Sequence, residues 1–222
     1  MKRLKGMIAA MPTPFFADES IDFKGVERLA EHLIKGGLHG ILVGGSTGEY
    51  SLMSMEERKN LIKTVCDVAK NRAYVIAGSS CHRPKDTIEM VQYAGKAGAD
   101  FALVLPPYYM CTSSQGIIDY YRTIGENSEI GIVVYHYPTA TGVSLSPELL
   151  VEISKLPNIA GVKDTAEMEH TSKLICTTKG KNFGIINGCE HLIMGTLASG
   201  GDGTMGIVHN LVPNLMRQIY DF

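Results

Sequence analysis

Short apolar runs recur along the chain, and between them lie longer segments whose apolar residues share one helical face. The runs are Met7-Ile8-Ala9-Ala10-Met11, Gly40 to Val43, Tyr74 to Gly78, Phe101 to Leu105, Ile130 to Tyr135, Ile159 to Val162, Phe183 to Asn187 and Gly203 to Val208. They are continuous rather than alternating, which marks parallel strands buried on both faces. The intervening segments carry helix signals. From Asp22 to Lys35, the residues Val26, Leu29, Ala30, Leu33 and Ile34 keep helical spacing and stop at Gly36-Gly37. Ser54 followed by Glu57 forms a capping box that opens a helix to about Lys70. Further helices are predicted over Pro84 to Lys96, Gln115 to Glu126, from Ser146-Pro147-Glu148 with proline at its first position, over Glu167 to Thr178, Glu190 to Ala198, and from Pro213 onward.

The pattern predicts eight strands, seven full helices and part of an eighth. Three helix-to-strand junctions echo one another: Gly36-Gly37-Leu38-His39-Gly40, Ala97-Gly98-Ala99-Asp100-Phe101 and Ser199-Gly200-Gly201-Asp202-Gly203. Eight such units in 222 residues predict one α/β domain over residues 1–222, a (β/α)8 TIM barrel with its eighth helix incomplete. An open doubly wound sheet shares the alternation and is the runner-up. The first strand-to-helix turn lacks Gly-x-Gly-x-x-Gly, and no Gly-Lys-Ser/Thr follows a strand, so nucleotide-binding readings are weak.

Composition narrows the class. Hydrophobic residues make up 45%, charged residues 20%, and the net charge is -2. No basic field invites nucleic acid or a membrane surface. The apolar run behind the basic N-terminus ends at Pro12, too short for a signal segment or a membrane span. Cys66, Cys81, Cys111, Cys176 and Cys189 are odd in number, widely scattered and free of Cys-x-x-Cys. They read as reduced thiols of a cytoplasmic protein. The seven histidines show no His-x-x-x-His, so no metal site is expected.

In a barrel the chemistry sits at the C-terminal ends of the strands. Lys163 ends the sixth apolar run. A lysine there either snorkels to water or loses its charge and becomes a nucleophilic amine. A pKa near 7 to 8 requires a shift of about 3 units, or about 4 kcal/mol, which burial can supply. Gly44 to Glu49 reads as an amide-and-hydroxyl cradle for a carboxylate or phosphate, or as a plain glycine turn. Tyr135 and Tyr109 are core aromatics or proton relays. His136 follows Tyr135 on its strand, so alternation turns it away from the interior, toward the helices. A neutral lysine amine converts a ketone to an iminium and acidifies the adjacent carbon, the chemistry of a class I aldolase. Gly200-Gly201-Asp202-Gly203 could serve a phosphate-binding isomerase, but it looks more like a helix stop.

Three stretches together resemble the dihydrodipicolinate synthase / N-acetylneuraminate lyase family: Gly44-Gly45-Ser46-Thr47-Gly48-Glu49, Tyr135-His136-Tyr137-Pro138-Thr139-Ala140-Thr141-Gly142, and Gly161-Val162-Lys163-Asp164-Thr165. The resemblance covers essentially the whole chain. It implies that Lys163 forms a Schiff base with pyruvate, that Tyr135 is the general acid/base, and that Ser46 links Tyr135 to Tyr109 in a proton relay. It also implies that Thr47 and Gly48 bind the pyruvate carboxylate and that Met205 packs beside it. No cofactor is implied beyond the covalent lysine adduct. In the family the second tyrosine comes from a neighbouring subunit, so a functional Tyr109 implies a homodimer or homotetramer. The family continues through further C-terminal helices, which this chain is expected to lack.

Departures from the family pattern fall on the second-substrate side. Ala140 stands where synthases carry an arginine for the aldehyde partner's carboxylate, and His136 replaces their usual asparagine. Gly-Gly-Ser-Thr-Gly-Glu is closer to the lyase branch, whose acidic pair survives only as Cys189-Glu190-His191. The expected activity is therefore a synthase-like condensation of pyruvate with an aldehyde, or the reverse cleavage. Alternatives are an N-acetylneuraminate or 2-keto-3-deoxy sugar acid aldolase, and a non-catalytic pyruvate-binding sensor or scaffold.

Overall fold

The computed structural model describes residues 2–110 and 112–222; Cys111 lies outside the described residues, and among them eight strands close into a parallel barrel in chain order. The strands are β1 Gly6–Ala10, β2 Gly40–Val43, β3 Tyr74–Gly78, β4 Phe101–Val104, β5 Gly131–His136, β6 Ile159–Asp164, β7 Gly184–Asn187 and β8 Gly203–Gly206. The helices are α1 Phe23–Lys35, α2 Met55–Ala69, α3 Pro84–Ala97, α4 Ser114–Glu126, α5 Pro138–Thr141, α6 Pro147–Ile153, α7 Met168–Thr178, α8 Ile193–Ala198 and α9 Pro213–Asp221. The open-sheet alternative is ruled out because β1 pairs with β8 as well as with β2. No helix among the described residues is long and apolar enough to cross a membrane.

Local signals act where expected. The Ser54 hydroxyl accepts from the Glu57 N–H at 3.2 Å, and the Glu57 carboxylate accepts from the Ser54 N–H at 2.8 Å. The junction echo has a structural meaning. Gly37, Gly98 and Gly200 take positive φ to end their helices. Two residues on, the side chains of His39, Asp100 and Asp202 each accept a backbone N–H from the neighbouring strand, at Met7, Val75 and Ile185. Each junction thus satisfies an N–H at the entrance of the adjacent strand.

Two details differ from the sequence expectation. β8 stops at Gly206, short of Val208, because the N–H groups of Ile207 and Val208 bond the Glu190 carboxylate and the chain turns into a 3-10 helix, Val208–Asn210. The short helix α5 was not foreseen; Pro138 opens it and Gly142, at φ 69°, ends it.

The core forms two concentric layers. Leu4, Ile8, Leu42, Ile76, Phe101, Leu103, Val133, Ala160, Ile186 and Met205 fill the barrel. Residues such as Ile132, Val134, Val162, Leu174 and Ile185 pack between sheet and helices. One irregularity matters for function. Ile132 pairs with Ile159, but Val133 pairs with Gly161, so β6 carries one extra residue, Ala160. Ala160 faces the interior; strict alternation would then turn Val162 inward and Lys163 outward. The bulge resets the phase, so Val162 packs under the helices and Lys163 shares the interior face with Tyr135.

Candidate active site

Lys163 and Tyr135 are directly opposite each other in the β5–β6 register, at the C-terminal end of the barrel. The Lys163 Nζ lies 3.4 Å from the Tyr135 Oη and 4.4 Å from the centre of its ring. Lys163 is only 6% exposed. Burial lowers its pKa from 10.5 to about 8, against the opposing charge of Glu190. The amine is therefore accessible in its neutral form near physiological pH, and the bland reading of a solvated lysine is excluded. Gly188 makes room for it: a Cβ there would meet the Thr165 Cγ2 at 2.2 Å and the Lys163 Cε at 3.1 Å. Only glycine lets the end of β7 approach so closely.

Tyr135 is buried and stacks on Tyr137 at 5.5 Å. Burial raises its phenol to about 12, an effect eased by the neighbouring Ser46 hydroxyl. Ser46 and Tyr135 line one small cavity, together with Tyr50 and Ser80, without a full hydrogen bond between them. Thr47 is half-buried on the same turn. The turn settles part of the cradle question. The N–H groups of Gly48 and Glu49 are taken by the carbonyls of Gly45 and Ser46, at 3.0 and 3.1 Å. The N–H groups of Ser46 and Thr47 have no partner among the described residues, so two amides and two hydroxyls remain for an anion. Gly48 is buried, and its carbonyl accepts from the Thr13 hydroxyl at 2.8 Å, which pins the turn to the end of β1.

Met205 is fully buried in the interior layer with Tyr135. Tyr109 does not join the group. It is 89% exposed, on backbone at φ 72°. Within one chain it is Tyr50 and Tyr108 that pair beside the site, with hydroxyls 3.5 Å apart. Those two tyrosines went unread in the sequence, where neither carries a spacing signal. Glu190 is half-buried, and although burial works against its charge, the Ile207 and Val208 amides hold its pKa below the usual range.

The fold also assembles what the sequence did not announce. His136, Asp164 and His170 bring metal-ligand atoms within 4.8 Å of one another. His136 points toward the helices, as its alternation predicts. Its Nε2 accepts from the Leu145 N–H at 3.1 Å, so its Nδ1 carries a proton and donates to Asp164 at 2.8 Å. That geometry makes the cluster a hydrogen-bonded one rather than a set of free ligands.

A scan against protein families matches the dihydrodipicolinate synthetase family over residues 3–222. The chain belongs to this family. It is 35% identical over 210 residues to the 4-hydroxy-tetrahydrodipicolinate synthase of Methanothrix thermoacetophila, covering 94% of this chain and 70% of that protein. Among solved structures it resembles the dihydrodipicolinate synthase of Acinetobacter baumannii complexed with pyruvate, with a TM-score of 0.93 and 33% identity over 96% of this chain and 74% of that one. CdNal from Clostridium difficile, solved with mannosamine, superposes with a TM-score of 0.94 at 27% identity, covering 99% of this chain and 76% of that one. The family resemblance read from three motifs is thus borne out along the chain, as is the barrel.

Proposed function

We propose that this protein is a pyruvate-dependent Schiff-base lyase or synthase, working as a single barrel domain in the cytoplasm. The observation that carries the proposal is a buried lysine amine of lowered basicity, 3.4 Å from a tyrosine hydroxyl at the rim of a parallel barrel. Family membership and the pyruvate complex of a relative support it.

The neutral Lys163 amine attacks the C2 carbonyl of pyruvate. The carbinolamine loses water to give an iminium, with Tyr135 delivering and removing protons. The iminium draws electrons from C3, so a C3 proton leaves and an enamine forms. The enamine carbon bonds to the aldehyde carbonyl, and hydrolysis frees the lysine; cleavage runs the same steps in reverse. Thr47 and the free amides of the turn hold the pyruvate carboxylate, and Met205 closes the interior side; Gly48, expected to share the carboxylate, has its N–H bonded to Gly45 and its carbonyl to Thr13, so it shapes the turn instead. Ser46 carries protons between Tyr135 and Tyr109. Because Tyr109 stands free of its own chain's site, its relay role requires a second subunit, hence a homodimer or homotetramer. The chemistry runs on the lysine itself and calls for no separate cofactor. With Ala140 at the rim, the aldehyde partner need not be the synthases' carboxylate-bearing one.

The test is to incubate the protein with pyruvate, reduce with borohydride and weigh it by mass spectrometry. A single pyruvate-derived adduct, lost in Lys163→Ala, is expected. No adduct, or one that survives the substitution, refutes the proposal. A panel of small aldehydes with pyruvate fixed then identifies the partner, and adduct formation without turnover of any of them would indicate a binding protein instead.

A further inference from the structure

Behind the reactive pair lies the His136–Asp164–His170 cluster, which the steps above do not use. Tyr135 faces Lys163 across β5 and β6, and the next residues, His136 and Asp164, face each other on the opposite side of the sheet. The Asp164 carboxylate is completely buried there. Its Oδ1 accepts from the His136 Nδ1 at 2.8 Å and from the Ala166 N–H at 3.3 Å. Its Oδ2 accepts from the Thr171 hydroxyl at 2.8 Å and from the His170 Nδ1 at 3.0 Å.

The proton positions follow from the partners. His136 is the neutral Nδ1–H form, since its Nε2 accepts from Leu145. His170 faces two acceptors, the Asp164 carboxylate on Nδ1 and the Leu145 carbonyl on Nε2 at 2.8 Å. Only an imidazolium satisfies both. Burial opposes that charge, but Asp164 outweighs it and raises the His170 pKa. The groups facing His170 are Asp164 from β6, neutral His136 from β5, and Glu148 from α6, itself bound to Lys173 of α7 at 2.6 Å. The cluster therefore pairs one anion with one cation. β5, β6, the first turn of α7 and the segment leading to α6 all converge on a single carboxylate.

We propose that Asp164 is the positioning residue of the Schiff-base site. Its bonds to His136 and His170 lock the ends of β5 and β6 together and so set the approach of the Lys163 Nζ to the Tyr135 Oη. The His170 imidazolium cancels the carboxylate's charge, which would otherwise favour the protonated, unreactive form of the adjacent lysine. The proposal rests on the Lys163–Tyr135 reading above.

The experiment compares the full chain with Asp164→Asn and Asp164→Ala. It reads circular dichroism for folding, the rate of borohydride-trapped pyruvate adduct, and the exchange of pyruvate methyl protons in deuterated water. Asparagine keeps the network without the charge: its Oδ1 accepts from His136, and its Nδ2 donates to a neutral His170 and to Thr171. It is expected to stay within about tenfold of wild type in exchange, while alanine falls about a hundredfold, the scale of a misplaced reacting pair. Alanine should lose less in trapping, where the bond to pyruvate is made by Lys163 itself, than in exchange, which also needs a base placed against C3. A folded alanine variant that exchanges at the wild-type rate overturns the proposal, and so does an asparagine variant as slow as alanine. Independently of any variant, long-range proton–nitrogen NMR of the wild type should show His136 as the Nδ1–H tautomer and His170 as an imidazolium at neutral pH; a neutral His170 overturns it. If the wild type forms no adduct, the functional reading itself fails, a result distinct from all of these.

Discussion

Replacing Lys163 by methionine should make the protein more stable while abolishing its chemistry. The lysine is 6% exposed, and its pKa falls from 10.5 in the unfolded chain to about 8 in the fold. That difference corresponds to about 3 kcal/mol spent holding an ammonium in the barrel at pH 7. The ammonium recovers about 1 kcal/mol from its position 4.4 Å over the Tyr135 ring. Methionine has a similar length and no charge, so Lys163→Met should gain about 2 kcal/mol, or roughly 4–8 °C in melting temperature for a chain of this size. The sign with pH is fixed. Between about 8 and 10.5 the unfolded chain binds more protons than the folded one, so wild-type stability rises with pH across that window. The variant lacks that term, and its advantage should shrink as pH rises through the window. The assay is denaturant unfolding of both proteins at pH 7 and 9.5, beside borohydride trapping with pyruvate. A variant that is less stable at pH 7, or whose advantage does not change with pH, would refute the claim that a buried, depressed amine sits at this position.

Tyr135→Phe should leave the trapped adduct in place but slow methyl-proton exchange about 10²- to 10⁴-fold, the usual worth of a positioned acid/base; proton NMR in deuterated water measures it, and unchanged exchange would remove Tyr135 from the mechanism. Ser54→Ala should cost about 1 kcal/mol in urea unfolding, since it removes the hydroxyl that accepts from the Glu57 N–H and donates to the Glu57 carboxylate, leaving only the Ser54 N–H on that carboxylate.

Much of the barrel was legible because parallel strands buried on both faces leave unbroken apolar runs, and because capping residues and glycines punctuate the helices. Where reading failed, a long-range contact had intervened. Val208 looks like strand until Glu190, eighteen residues earlier in the chain, captures its N–H and bends it away. His170 carries no spacing signal, yet it completes the charge balance of Asp164 through a contact that exists only once α7 docks on β6. Tyr108 and Tyr50 meet for the same reason.

The sequence by itself determined the alternation of strands and helices, the three motifs and the identity of the reactive groups, because these depend on local periodicity and residue chemistry. Only the tertiary structure decided which way Lys163 points. Counted along β6 from inward-facing Ala160, it belongs outside the barrel, and one extra residue in the pairing with β5 turns it inward to Tyr135. Side-chain direction in a sheet depends on register with a neighbour, and register is a property of two strands that no single run of residues contains. The same pairing that brings the amine to the phenol removes it from water, which is what turns an ordinary lysine into a nucleophile.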